Sequence, residues 1–266
     1  MRLLPFIRRT QPDDRLTVVE HLSELRSRII ISVAALIVAF GVAYAFHDVL
    51  IDILERPLPA DQQGQLKTFS PTEPFFTILK VSFWAAIIAS VPIWCYQLYA
   101  FVIPAVANQS RRIMLLVVAG VSSLFLAGVA FGYFIVLPVA LNFLLDFGAG
   151  TFDTQLRAGE YFSFATTLLL GAGLIFEVPV AMLALARMGV VTADMYRKQW
   201  RVAIVVIATI AAILPGGDPF SMFLLMIPQL ILYQVGIWLA AAFGGPPLWV
   251  RDRWVGDREP EGSSPG

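Results

Sequence analysis

Two carboxyl groups in this chain stand where a carboxylate is costly unless it is used. The first, Glu24, belongs to the run Glu20-His21-Leu22-Ser23-Glu24-Leu25-Arg26-Ser27-Arg28, directly before a long charge-free stretch. On a helix Glu20 and Glu24 lie one turn apart, as do Glu24 and Arg28, while Leu22, Leu25 and Ile29 form an apolar stripe. This predicts an amphipathic helix at a membrane interface. Its carboxylates suit the capture of a guanidinium by charge-assisted, often bidentate bonds. The same spacing also fits a plain Glu24–Arg28 pair on a wet face, worth about 0.2–0.5 kcal/mol. The second group, Glu177, sits inside an apolar run. At membrane depth a carboxyl costs roughly 2.5–3.5 kcal/mol unless it faces protein or water. Pro179 has no N–H and leaves the Ile175 carbonyl free, which predicts a kink and a polar notch around Glu177. A protonated glutamic acid satisfying that notch and a functional proton site both fit.

Composition decides which elements hold these groups. The chain has 266 residues, 58% hydrophobic and 14% charged, which is too apolar for a water-soluble domain. Nineteen Lys+Arg balance nineteen Asp+Glu, which excludes a strongly basic nucleic-acid binder. One cysteine, Cys95, excludes an intrachain disulfide, and with two histidines, His21 and His47, no Cys- or His-rich metal site is expected. There is no phosphate-binding Gly-Lys-Ser/Thr loop, no paired-His zinc helix and no Gly-x-Ser-x-Gly turn. The reading is therefore not an enzyme, and no cofactor is implied.

Breaking the charge-free stretches at Pro, Gly and polar clusters gives six spans, about Arg28–Phe46, Phe75–Gln97, Ile113–Pro138, Tyr161–Ala186, Val202–Leu214 and Phe220–Phe243. They read as helices, because lipid tolerates only helices and closed barrels and no period-two alternation is present. Fifteen of the nineteen Lys and Arg fall on one side of this arrangement, so the positive-inside rule places both termini in the cytoplasm. Arg8-Arg9 and Ala43-Tyr44-Ala45 have the look of a cleaved signal, but the arginines stand far from the apolar run and the first span is read as retained. The fifth span is short, and Pro228 is expected to bend the sixth. The expected organisation is a single membrane domain over residues 1–243 and a disordered cytoplasmic tail over 244–266.

His21-Leu22-Ser23-Glu24-Leu25-Arg26-Ser27-Arg28 resembles the His-Leu-x-Glu-Leu-Arg-x-Arg signature of TatC, the multispanning receptor subunit of the twin-arginine protein translocase. The likeness runs along nearly the whole chain. Ser70-Pro71-Thr72-Glu73-Pro74-Phe75 resembles the family's entry to the second span and Tyr96-Gln97-Leu98-Tyr99-Ala100-Phe101-Val102-Ile103-Pro104 its exit. Phe176-Glu177-Val178-Pro179 resembles its fourth-span motif, and Asp218-Pro219-Phe220-Ser221 the start of its sixth.

The resemblance implies an all-α polytopic protein of the bacterial-type cytoplasmic membrane, with six helices and a short final hairpin. It implies a receptor for Arg-Arg signal peptides of folded precursors, a proton gradient as energy source, single-span TatA/TatB-type partners, surrounding lipid and a homo-oligomer within a hetero-complex. By resemblance the signal peptide meets Glu24, with His21, Arg26, Phe101, Pro104, Glu20 and Ser110 around it. Ser110 stands where the family has a second glutamate; Glu20, or Asn108, Gln109 and Ser110 as neutral acceptors, would have to serve instead. Glu177, Gln97 and Pro179 would face a groove open to the membrane, where the two polar side chains draw water inward and weaken the bilayer. Pro57, Asp218 and Ser221 match outer-loop and partner-docking positions, Asp218 also suiting an N-cap of the sixth helix. The rival reading is a proton-coupled small-solute transporter using Glu177.

Overall fold

The computed structural model describes residues 18–60, 62–102, 111–147, 155–213 and 219–245, and for residues 18–21, 99, 102 and 111–114 the backbone alone. Among the described residues the fold is helical, with one isolated bridge between Lys67 and Arg157. Five helical runs are long and apolar enough to cross a bilayer, and a sixth apolar helix is shorter. The two ends of the bundle are called inner and outer after the charge bias of the sequence.

α1 (Val18–Ala45) runs from the inner end, and α3 (Glu73–Val102) returns beside it, with Pro92 inside. The indole N–H of Trp94 ties the two helices by donating to the Ser32 carbonyl at 3.1 Å. Between them lies α2 (His47–Glu55), a helix in a stretch whose acidic residues read in sequence as an outer loop. It forms because Leu50, Ile51 and Leu54 share a face that packs on the core while Asp48 and Asp52 are exposed. Two tyrosines hold it down: Tyr133 donates to the Ile53 carbonyl at 2.7 Å and Tyr161 to the Leu54 carbonyl at 2.5 Å.

The third span exceeds the expected Ile113–Pro138. α4 (Arg111–Phe131) passes through a π-helical turn, Gly132–Val136, into α5 (Leu137–Phe147). The Leu137 N–H reaches back five residues to the Gly132 carbonyl. This wide turn comes immediately before Pro138, whose ring and missing N–H would otherwise break a regular helix, so the rod continues.

The fourth span divides as Pro179 predicts. α6 (Ala158–Phe176) ends at Glu177, whose N–H bonds the Leu174 carbonyl at 3.1 Å, and α7 (Val178–Arg187) begins with Pro179 in its first turn. There an absent N–H leaves no helical bond unmade. α8 (Ala193–Lys198) is a short inner helix capped by the Thr192 hydroxyl, which accepts from the Met195 N–H at 3.3 Å. α9 (Trp200–Ile213) has 14 residues, about 21 Å at the helical rise, and α10 (Pro219–Phe243) contains Pro228.

α6 is the centre of the bundle, contributing Phe162, Ala165, Leu168, Leu169, Ala172 and Ile175 to one core with Val81 of α3, Leu141 of α5, Ala211 of α9 and Leu225 of α10. Lipid-solvated helices associate by close approach of small residues. A Cβ on Gly128 would fall 2.6 Å from the Ala172 carbonyl oxygen, and one on Gly173 would fall 2.6 Å from the Phe125 ring. α4 and α6 meet on those two glycines. The outward faces carry large exposed apolar side chains such as Ile37, Val38, Leu116, Phe134 and Ile231, as a lipid-facing surface requires.

Candidate functional site

At the inner end, α1 and α3 bring together residues sixty-nine and seventy-two positions apart. The Arg28 guanidinium donates to the Glu24 carboxylate through Nε, at 3.1 Å, and through its NH2 group. It also donates to the Gln97 side-chain oxygen at 3.2 Å and to the Ala100 carbonyl at 2.9 Å. Four of its five N–H groups are therefore spent on one turn of α1 and the end of α3. The pair read from spacing as a wet-face contact is real, but it is half-buried and joins two helices. Gln97, expected beside Glu177 in the groove, is buried and gives its side-chain oxygen to Arg28.

Around this cluster, Arg26 is exposed and Phe101 half-buried at the end of α3. Glu20 and His21 lie on the first turn of α1, their side chains outside the described residues; Pro104, Ser110 and Asp218 lie outside them altogether. Arg28 itself is the residue that sequence reasoning undervalued. Its spacing to Glu24 was visible; nothing local signalled its reach to α3.

Glu177 occupies the hinge between α6 and α7. Its Oε1 is buried with no hydrogen-bond partner among the described residues. Pro179 is buried against α10, where a Cβ on Gly236 would lie 3.2 Å from the Pro179 Cα. The hinge thus rests on a close α7–α10 contact. The arrangement holds a carboxyl group at depth with one oxygen unsatisfied among the described residues.

At the outer end a second network was missed. Glu73 is buried at the head of α3 and accepts from the Phe69 N–H at 2.9 Å, the Gly159 N–H at 3.0 Å and Arg157 Nε at 2.9 Å. The Glu73 carboxylate holds the Arg157 guanidinium in its charged form and raises its pKa. Backbone bonds between Lys67 and Leu156 and between Ala158 and Lys67, both 2.9 Å, stitch the same two loops. In the sequence Glu73 stands out only as part of the Ser70–Phe75 entry to the second span; its role as a three-donor hub needs the α3–α6 packing. Pro57 follows α2 and precedes buried Leu58, and Ser221 is buried in the first turn of α10.

Residues 20–228 match the family model TatC, Sec-independent protein translocase protein (TatC). The chain is 37% identical over 235 residues to the chloroplastic Sec-independent protein translocase protein TATC of Arabidopsis thaliana, covering 88% of this chain and 69% of that protein. It is 35% identical over 224 residues to TatCd of Bacillus subtilis, covering 84% and 91%. A crystal structure described as the twin arginine translocase receptor TatC superposes with a TM-score of 0.74 at 35% identity, covering 83% of this chain and 98% of that one. The short α9, the α6–α7 break and the helical complement therefore belong to a multi-pass membrane protein of protein transport rather than to an enzyme or a small-solute carrier. The chain belongs to the TatC family of Sec-independent protein translocase proteins.

Proposed function

We propose that this protein is the membrane receptor for signal peptides bearing an Arg-Arg pair, and the core subunit through which folded precursors cross the membrane under the proton gradient. Glu24 carries the reading. It presents a half-exposed carboxylate at the inner end of α1 whose present partner is itself a guanidinium, so the site already has the chemistry that an incoming arginine needs. In this reading Phe101 flanks the captured peptide, Arg26 lies beside it, and Glu20, His21, Pro104 and Ser110 complete the inner surface. Both termini face the cytoplasm of a bacterial-type cell membrane.

Single-span partner subunits of the TatA/TatB type dock along the α9–α10 hairpin, with Asp218, Ser221 and Pro57 at the outer side, and several copies assemble into one complex. Glu177 and Pro179 form the notch that draws water toward the bilayer centre, with Gln97 linking it to the inner surface. The test is binding of a labelled Arg-Arg signal peptide to the purified, reconstituted protein. The reading expects saturable binding that is lost when the pair is changed to Lys-Lys, because an ammonium cannot reproduce the bidentate geometry. Equal binding of both peptides would overturn it.

A further inference from the structure

A cavity of about 880 Å³ opens at the outer end between the starts of α3 and α6, apart from the inner cluster and from Glu177. Four charged side chains line it, and three are spent on one another. Glu73 is saturated by its three donors, and Arg157 is shared between Glu73 and Glu160, the latter at 3.5 Å. Lys80 differs. Its ammonium donates to the Ser163 hydroxyl at 2.8 Å, and among the described residues no carboxylate lies within salt-bridge distance of it.

An ammonium carries three donors, so two of the Lys80 N–H groups remain for the cavity. The residue also sits seven positions into a membrane-spanning helix, about 10 Å along the axis from Glu73. Helical side chains lean toward the N-terminus, here the outer end, so Lys80 snorkels upward into the cavity. Lys80 is exposed, so its ammonium is presented at the level of the lipid headgroups, whose phosphates are the nearest class of anion to pair it. Ser163 does not supply the anion: its hydroxyl is neutral, accepting from Lys80 and donating to the Gly159 carbonyl at 2.5 Å.

The remaining lining shows what kind of anion fits. Thr77 and Thr167 bring hydroxyls to the wall near Lys80, while Phe76 and Ile213 bring exposed apolar surface to the same cavity. Ile213 is the last residue of the short α9. A free inorganic anion gains nothing from that apolar wall. An amphiphile gains from both halves.

We infer that this cavity is a phospholipid site: the phosphate of an outer-leaflet lipid sits on the Lys80 ammonium and the threonine hydroxyls, and an acyl chain lies along Phe76 and Ile213. The full-length protein, extracted in mild detergent, is examined by native mass spectrometry after reconstitution in vesicles of phosphatidylglycerol and phosphatidylcholine. Wild type retains a phospholipid, and Lys80→Gln lowers that occupancy about tenfold, the loss expected from one charge-assisted contact. Arg56→Gln, which removes an outer cation away from the cavity, leaves it unchanged. Equal retention by wild type and Lys80→Gln overturns the proposal. So does displacement of the lipid by millimolar inorganic phosphate, which would make the ligand a free anion. A Lys80 crosslink to an acidic side chain of a single-span subunit, formed while lipid occupancy in Lys80→Gln stays at the wild-type level, overturns it in favour of a protein partner. A signal-peptide binding assay on Lys80→Gln stays normal in every case, so this result is independent of the receptor reading.

Discussion

The Glu24 carboxylate is held by the Arg28 guanidinium one helical turn away, and the same guanidinium reaches across to Gln97 and the Ala100 carbonyl of α3. An arginine entering from a signal peptide would therefore meet an occupied acid. Binding becomes an exchange of one guanidinium for another, with the displaced Arg28 retained by its two contacts on α3. Such an exchange costs little electrostatically, because the number of cation–carboxylate pairs is conserved.

Exchange predicts opposite effects for the two partners. Glu24→Gln removes a charge-assisted acceptor and should weaken Arg-Arg peptide binding by about 1.5–3 kcal/mol, roughly ten- to a hundredfold. Arg28→Gln frees the acid and should tighten binding a few-fold. Peptide titration by fluorescence anisotropy on both variants and the double variant reads this directly. Parallel losses in the two single variants would show that Arg28 builds the site rather than competes for it.

Glu177 has a different signature. Its buried Oε1 lacks a partner, so replacing the carboxyl with Leu should stabilise the folded protein by about 1–3 kcal/mol, seen as a higher melting temperature in detergent. If the notch draws water inward for transport, the same Glu177→Leu variant should bind signal peptide normally and export poorly from vesicles. Normal export would remove Glu177 from the mechanism.

Much of this architecture was legible in the sequence because membrane helices announce themselves by continuous apolarity. The Glu177 break was legible because Pro179 acts within one turn. α2 was missed since Leu50, Ile51 and Leu54 make too short a stripe to outweigh the flanking acids. The π turn before Pro138 was missed because proline normally ends a helix, and nothing in the local sequence shows that one widened turn will accommodate it. The site was legible as single residues and illegible as a cluster. Arg28 to Ala100 and Glu73 to Gly159 are meetings of distant segments, set by which helix faces pack together.

The Glu73 hub gives a prediction in the loops. Glu73→Ala leaves the Phe69 and Gly159 N–H groups without their acceptor and Arg157 with Glu160 alone, loosening the two backbone bonds that run through Lys67. Hydrogen exchange should quicken at the Lys67 and Ala158 amides while α6 from Ala165 onward keeps its protection. Unchanged exchange at those two amides would mean the backbone bridge holds without the carboxylate.

The glycines separate packing from helix propensity. Gly128→Ala drives a methyl group against the Ala172 carbonyl oxygen at 2.6 Å, and backbone cannot yield as a flexible side chain would. The α4–α6 crossing must then widen, and overpacking of this kind costs about 1–3 kcal/mol. Gly41→Ala and Gly120→Ala meet nothing within 4 Å, so there only the propensity gain of up to about 1 kcal/mol remains. Thermal unfolding of the three variants in one detergent should place Gly128→Ala well below wild type and the other two at or slightly above it. The central position of α6 makes this the sharper test of the fold, since every transmembrane element that touches α4 depends on how closely those two backbones approach.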